Sequence, residues 1–146
     1  MTVDGALAPR RHVVDVGRRL QLWVLDAGLA CCAVEVVAAL AGVGTDDAVD
    51  GVLGAVPMAA GPADADVLLV SGTVTTRLAP AVRALYDALP DPKRVVSVGA
   101  CASSGGPYWD SYAVTPGVAE LLPVDLYVPG CPPRPQALLD ALRTLA

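Results

Sequence analysis

The stretch Val128-Pro129-Gly130-Cys131-Pro132-Pro133-Arg134-Pro135 limits what this chain can fold into more than any other. Pro132 and Pro133 fix φ and donate no backbone hydrogen bond, and Gly130 admits backbone conformations closed to other residues. Neither a helix nor a paired strand can run through it. Such a stretch builds a rigid loop that aims one thiol. The remaining cysteines fit the same purpose. Cys101 follows Val98-Gly99-Ala100 at the end of an apolar run and precedes Ser103-Ser104-Gly105-Gly106-Pro107, while Cys31 and Cys32 stand together after Asp26-Ala27-Gly28-Leu29-Ala30. All four lie at the ends of predicted strands and are read as one site.

The strands themselves follow from apolar runs. Leu20 to Leu25 reads as a first strand, Val67 to Val70 and Arg94 to Val98 as continuous apolar runs of the kind buried on both faces, and Asp125 to Val128 as the last. A short strand is also expected over Val52–Val56, ahead of an Ala/Gly/Pro loop over 57–64. Helices are expected from Cys31 to Leu40, closed by Gly42 and Gly44, then from Pro80 to Leu89 and from Pro135 to Ala146. Residues 102–117 read as a long loop, with Ser103 on its surface. Strands alternating with helices predict an α/β fold, a doubly wound and mainly parallel four-stranded sheet with flanking helices. Ligands of such sheets bind beyond the carboxyl ends of the strands, where the cysteines stand. The 146 residues read as one domain, with residues 1–19 a poorly ordered lead.

Composition narrows the partners. A net charge of -5 argues against nucleic acid. Arg10, Arg11, Arg18 and Arg19 make the N-terminal end basic, and His12, the one histidine, reads as a surface residue. Hydrophobic residues make up 54% of the chain with no Phe, and the mean hydropathy is +0.54. No uninterrupted apolar run of about 18 residues is present, so no membrane span is expected. The excess apolar surface points instead to burial against partner subunits. No signal-peptide pattern is expected at the N-terminus. In a reducing compartment the cysteines point to a metal before disulfides.

Four thiolates can hold zinc or an iron–sulfur cluster. Zinc prefers pairs separated by two to four residues, and adjacent side chains diverge too much to chelate one ion well. A cubane offers separate iron corners, so neighbouring cysteines can each take one. The chemistry therefore favours [4Fe-4S] over zinc and over unligated buried cysteines. Cys31 and Cys32 at a helix start would set its dipole against an anionic cluster. Gly99, Gly105, Gly106 and Gly130 would let backbone approach sulfur. No nucleotide-binding glycine loop and no Ser-His-Asp or Cys-His pair is present, so the chemistry expected is electron transfer.

Joint motifs resemble a known family. Gly28-Leu-Ala-Cys-Cys-Ala-Val-Glu35, Gly72-Thr-Val-Thr-Thr-Arg-Leu-Ala-Pro80, Tyr86-Asp87 with Pro92-Lys93, Gly99-Ala-Cys-Ala-Ser-Ser-Gly-Gly106 and Pro123-Val-Asp-Leu-Tyr-Val-Pro-Gly-Cys-Pro-Pro133 are similar to the B-type subunit of NADH-quinone oxidoreductase, the twenty-kilodalton (PSST) subunit of respiratory complex I. The tandem cysteines favour this branch over the related [NiFe] hydrogenase small subunits. The resemblance implies a [4Fe-4S] cluster on Cys31, Cys32, Cys101 and Cys131. It also implies quinone as acceptor at a site shared with the forty-nine-kilodalton-type subunit of complex I, and other peripheral-arm subunits as partners. The expected place is peripheral, on the cytoplasmic side of the cell membrane. Glu35 is expected as a proton-coupled or structural carboxylate, and Tyr108 and Tyr112 as residues shaping the loop over the cluster.

The departures from the family pattern are local. Methionines expected after Glu35 are Val36 and Val37, an Arg-Tyr segment lining the quinone passage is Gly44-Thr-Asp-Asp-Ala-Val-Asp50, and an Asn-Lys pair is Thr76-Arg77. The ligand set is intact while the quinone-facing surface is altered. Two roles follow: a redox subunit passing electrons to quinone, or a non-catalytic assembly or regulatory paralogue. A small subunit of a membrane-bound hydrogenase-like complex is a further alternative.

Overall fold

The computed structural model describes residues 14–15, 19–20, 23–41, 59 and 61–145. The expected strand over Val52–Val56, the helix stop at Gly42 and Gly44, the 44–50 segment, His12 and most of the N-terminal lead lie outside the described residues. Within the lead, β1 (Val14–Asp15) pairs antiparallel with β2 (Arg19–Leu20).

The remaining strands form one all-parallel sheet. β3 (Val24–Gly28), β4 (Val67–Ser71), β5 (Arg94–Val98) and β6 (Leu126–Val128) lie in that order. All of β4 is buried, as is β5 after Arg94, because helices cover both faces. On one face α1 (Cys32–Leu40) and α4 (Pro135–Thr144) set Val36, Leu40, Leu138 and Leu142 against Val67, Leu69 and Val96. On the other, Val82 of α2 (Ala79–Ala88) and Ala102 of α3 (Gly99–Ser104) join Val118 against Leu68, Val70 and Val95. Alternate residues of β4 thus feed opposite cores, and the fold is the doubly wound α/β arrangement expected.

Two expectations are corrected. The first sheet strand begins at Val24 and runs to Gly28, not from Leu20 to Leu25: Leu20 belongs to β2. Cys101 lies inside a helix, because Gly99–Ser104 turns helical directly after β5 where a loop was expected. Gly105, at φ 81, closes that helix by donating its N–H to the Cys101 carbonyl at 3.0 Å. Ser103 is half-buried and shares a 3.0 Å hydrogen bond with the fully buried Ser97, so it is not a free surface residue.

The register fixes where the site lies. Gly28 pairs with Ser71, Ser71 with Val98, and Val98 with Val128. The four strands therefore end at one level. Cys31, Cys101 and Cys131 are each the third residue beyond the end of β3, β5 and β6 respectively.

Candidate cysteine-cluster site

Three connections of equal reach rise from the carboxyl end of the sheet, and each carries a thiol. Cys31 occupies the position before α1, and Cys32 is its first residue. Cys32 and Cys101 are buried, Cys31 and Cys131 are exposed, and all four are free thiols. β4 supplies no cysteine, but its end braces the tandem pair. The Ser71 carbonyl accepts the Leu29 N–H at 2.9 Å. A Cβ on Gly72, where φ is 116, would stand 2.6 Å from the backbone nitrogen of Ala30.

The loops are tied to one another as well. Ala100 of α3 donates its N–H to the Gly130 carbonyl at 2.8 Å, joining the Cys101 and Cys131 segments through backbone. Gly99, at φ 86, leaves room for a sulfur: a Cβ there would meet Cys32 Sγ at 2.5 Å. Gly106 does the same for Cys101 Sγ, at 2.9 Å. Of the four glycines expected to admit backbone to sulfur, these two face a thiol; Gly105 faces Trp109 and Gly130 faces Pro133.

The Cys32 thiol feels the other three. Burial first, then the Cys31, Cys101 and Cys131 thiols, push the Cys32 thiol up to about 11. A cationic metal reverses that preference, because a coordinated thiol is deprotonated outright. Among the described residues no three His, Cys, Asp or Glu side chains gather tightly enough for a single metal ion. The donor set is wholly soft thiol, and two glycines open space against two of the sulfurs. A wholly thiol donor set with room at two sulfurs is one that an iron–sulfur group accepts.

The other expected residues are placed differently. Glu35 lies in the first turn of α1 and makes no ion pair among the described residues. Tyr108 and Tyr112 are exposed, as is Trp109 between them. Thr76 and Arg77 are exposed on the segment before α2, which pairs with the aromatic loop through the Thr75–Val114 bridge. Sequence reasoning missed Asp26. It interrupts an apolar strand two residues before Gly28, which was signal enough to single it out. Its carboxylate accepts a 2.6 Å hydrogen bond from Ser71 Oγ. Burial raises its pKa to about 6, with the Ser71 hydrogen bond pulling the other way.

Comparison with known proteins agrees with this geometry. The family profile described as NADH ubiquinone oxidoreductase, 20 Kd subunit, matches residues 30–145. The NADH-quinone oxidoreductase B-type subunit of Salinispora tropica is 55% identical over 137 residues, covering 94% of this chain and 71% of its own length. A B-type counterpart from Streptomyces griseus is 54% identical over 137 residues, but those span only 57% of its length. Among solved structures, the archaeal membrane-bound sulfane sulfur reductase complex contains a chain at 29% identity and TM-score 0.70, covering 85% of this chain and 68% of that one. A NAD+-reducing [NiFe]-hydrogenase shares the fold at 19% identity and TM-score 0.60, covering 85% and 90%. With its tandem cysteines, its Pro-Gly-Cys-Pro-Pro loop and this parallel sheet, the chain belongs to the twenty-kilodalton subunit family of NADH ubiquinone oxidoreductase, the B-type subunits of an oxidoreductase complex.

Proposed function

We propose that this chain is the [4Fe-4S] electron-transfer subunit of a complex I-like NADH:quinone oxidoreductase. Cys31, Cys32, Cys101 and Cys131 would hold the cluster, and the whole chain would serve as one cluster-bearing domain. The observation that carries the reading is the common level of the three thiol-bearing connections, with the other three thiols in electrostatic reach of Cys32. When bound, the cluster supplies one-electron chemistry. The protein's part is to position the thiols, exclude water at Cys32 and Cys101, and keep side chains away from sulfur at Gly99 and Gly106. Burial of this kind is one of the means by which a protein sets a cluster's potential.

The donor would be the peripheral arm and the acceptor quinone, at a site shared with the forty-nine-kilodalton-type subunit. No described helix is long and apolar enough to cross a membrane. The subunit would sit peripherally, on the cytoplasmic side of the cell membrane. Anaerobic purification or reconstitution is the test. About four irons and four sulfides per chain, with an EPR signal on reduction, are expected for one Cys-ligated cubane. Replacing Cys131 by Ser should reduce iron retention. Stoichiometric zinc without iron or sulfide overturns the reading.

The likeness to the sulfane sulfur reductase complex favours a second reading, in which the same cysteines serve an acceptor other than quinone. The altered residues after Glu35 also keep a non-catalytic paralogue in view. Quinone-reductase and sulfur-reductase rates of an assembled complex, compared at equal cluster content, separate the three.

A further inference from the structure

Of the buried residues of β5, Val95, Val96, Ser97 and Val98, only Ser97 is polar. It is fully buried, and in the sheet it stands between Val70 of β4 and Tyr127 of β6. A hydroxyl in such a place costs stability unless it is hydrogen-bonded, and an apolar side chain would fill the position without that cost. Among the described residues the Ser97 hydroxyl has one side-chain partner, the Ser103 hydroxyl of α3, at 3.0 Å between the two oxygens.

α3 has little else to set how it is turned about its own axis. It is six residues long, and of its side chains only Ala102 joins the apolar core. One methyl group is too narrow a stripe to fix the rotation of so short a helix. Backbone bonds hold its two ends: the Ala100 N–H donates to the Gly130 carbonyl at 2.8 Å, and the Gly105 N–H to the Cys101 carbonyl at 3.0 Å. The Ser104 hydroxyl turns back on the Ala100 carbonyl of the same helix at 3.2 Å. The Ser97–Ser103 bond is then the only side-chain hydrogen bond from α3 to the sheet among the described residues. The Ser103 backbone is backed in turn by Gly117, where a Cβ would stand 2.5 Å from the Ser103 carbonyl oxygen.

A helix turns by about 100° per residue, so Ser103 points about 200° away from Cys101, to the opposite side of α3. Pinning Ser103 to β5 therefore turns the Cys101 thiol to the side where Gly106 leaves room for its sulfur, which a Cβ at Gly106 would meet at 2.9 Å. Resting on the reading of Cys101 as a cluster ligand, we propose that Ser97 is a positioning residue of the cysteine site: through Ser103 it sets the rotation of α3 and aims the Cys101 thiol. Ser97 touches no thiol itself; it acts through the helix that carries one.

The test compares wild type, S97A, S103A, S103T and the S97A/S103A double variant, with S104A as the control from the same helix. In the anaerobic apo-protein, the rate at which iodoacetamide alkylates Cys101 is followed by peptide mass spectrometry against Cys32. S97A and S103A should each raise it by roughly threefold to tenfold, the population change that loss of one buried hydrogen bond brings. The double variant should go no further, because both single changes remove the same bond. S103T, which keeps a hydroxyl, should return to the wild-type rate, and S104A should never leave it. In the reconstituted protein the EPR line shape at equal iron content should change in S97A and S103A and be restored in S103T. A wild-type Cys101 rate and line shape in S97A overturn the proposal. So does an S103T that departs from wild type as far as S103A, because the hydroxyl is then not what matters. If S97A does not fold, the comparison of S103A with S103T at the half-buried position decides. A wild-type protein that takes up no iron overturns the reading of Cys101 as a ligand, while the alkylation rates still decide whether Ser97 aims its thiol.

Discussion

At the scale of single residues the site is shaped as much by missing side chains as by the thiols. Gly99 combines a positive φ of 86 with a sulfur where its Cβ would go. A Gly99→Ala change therefore meets left-handed backbone strain, about 1–2 kcal/mol, and a clash relieved by moving the Cys32 thiol itself. Iron per chain should fall together with the thermal midpoint. Gly61→Ala, at a glycine with nothing within 4 Å of its Cβ position, should leave both unchanged; equal iron in the two variants would remove Gly99 from the site. Asp26 yields a second residue-scale prediction. Its folded pKa of about 6 lies above the ordinary 3.8, so the folded chain holds the proton more tightly than the unfolded chain. Stability linked to that proton is full below about pH 4 and is lost as pH rises through about 6. Asp26→Asn cannot ionise and escapes the loss. It should be the more stable protein at pH 7.5, by less than ~3 kcal/mol after solvent screening of a partly exposed group. The advantage should narrow as pH falls to 5. Urea midpoints across that range measure it, and an unchanged gap from pH 5 to 8 would refute it.

At the scale of elements, what was legible in the sequence was what burial makes continuous. β4 and β5 are apolar on both faces and stand out as runs; β5 falls at Arg94–Val98 as expected. α2 and α4 are marked by prolines in their first turns and lie within two residues of their expected bounds. The place of Cys131 was legible because Pro-Gly-Cys-Pro-Pro can continue neither a helix nor a paired strand, and that of Cys31 and Cys32 because a strand stops at Gly28 just before them. α3 was not. Gly99-Ala-Cys-Ala-Ser-Ser104 has no apolar period, and Ser residues favour turns as readily as helix. It is helical because its neighbours hold it: the Gly130 carbonyl at Ala100, Ser97 at Ser103, and the left-handed cap at Gly105. The start of β3 was misplaced because Leu20 to Leu25 is apolar throughout, while Asp26 and Gly28 look like a strand stop. In the fold Asp26 is accommodated by Ser71, 45 residues away, which no local pattern reveals.

At the scale of the whole molecule, the largest apolar side chains that the described chain leaves exposed are aromatic. Tyr112 is 98% exposed, Trp109 70% and Tyr108 54%, all on the loop that follows Cys101, and Leu78 is exposed on the segment bridged to that loop. Large aromatic side chains left in water on the loop that follows Cys101 are what a subunit interface is built from: Trp and Tyr hot spots at the centre of an interface carry about 2 kcal/mol or more each, roughly thirtyfold in affinity. The loop is anchored independently of any partner. Thr115 donates both its N–H and its hydroxyl to the Val74 carbonyl at 2.9 Å, and Gly117 packs against the Ser103 carbonyl. The aromatics are thus presented by a braced loop, and removing them should spare the fold. We expect a Trp109→Ser, Tyr112→Ser double variant to keep wild-type iron content and thermal midpoint. Co-expressed with a forty-nine-kilodalton-type subunit, it should co-purify at least tenfold less than wild type. Should co-purification stay at the wild-type level, the interface lies elsewhere, and the exposed Val34 and Val37 of α1 become the next face to test.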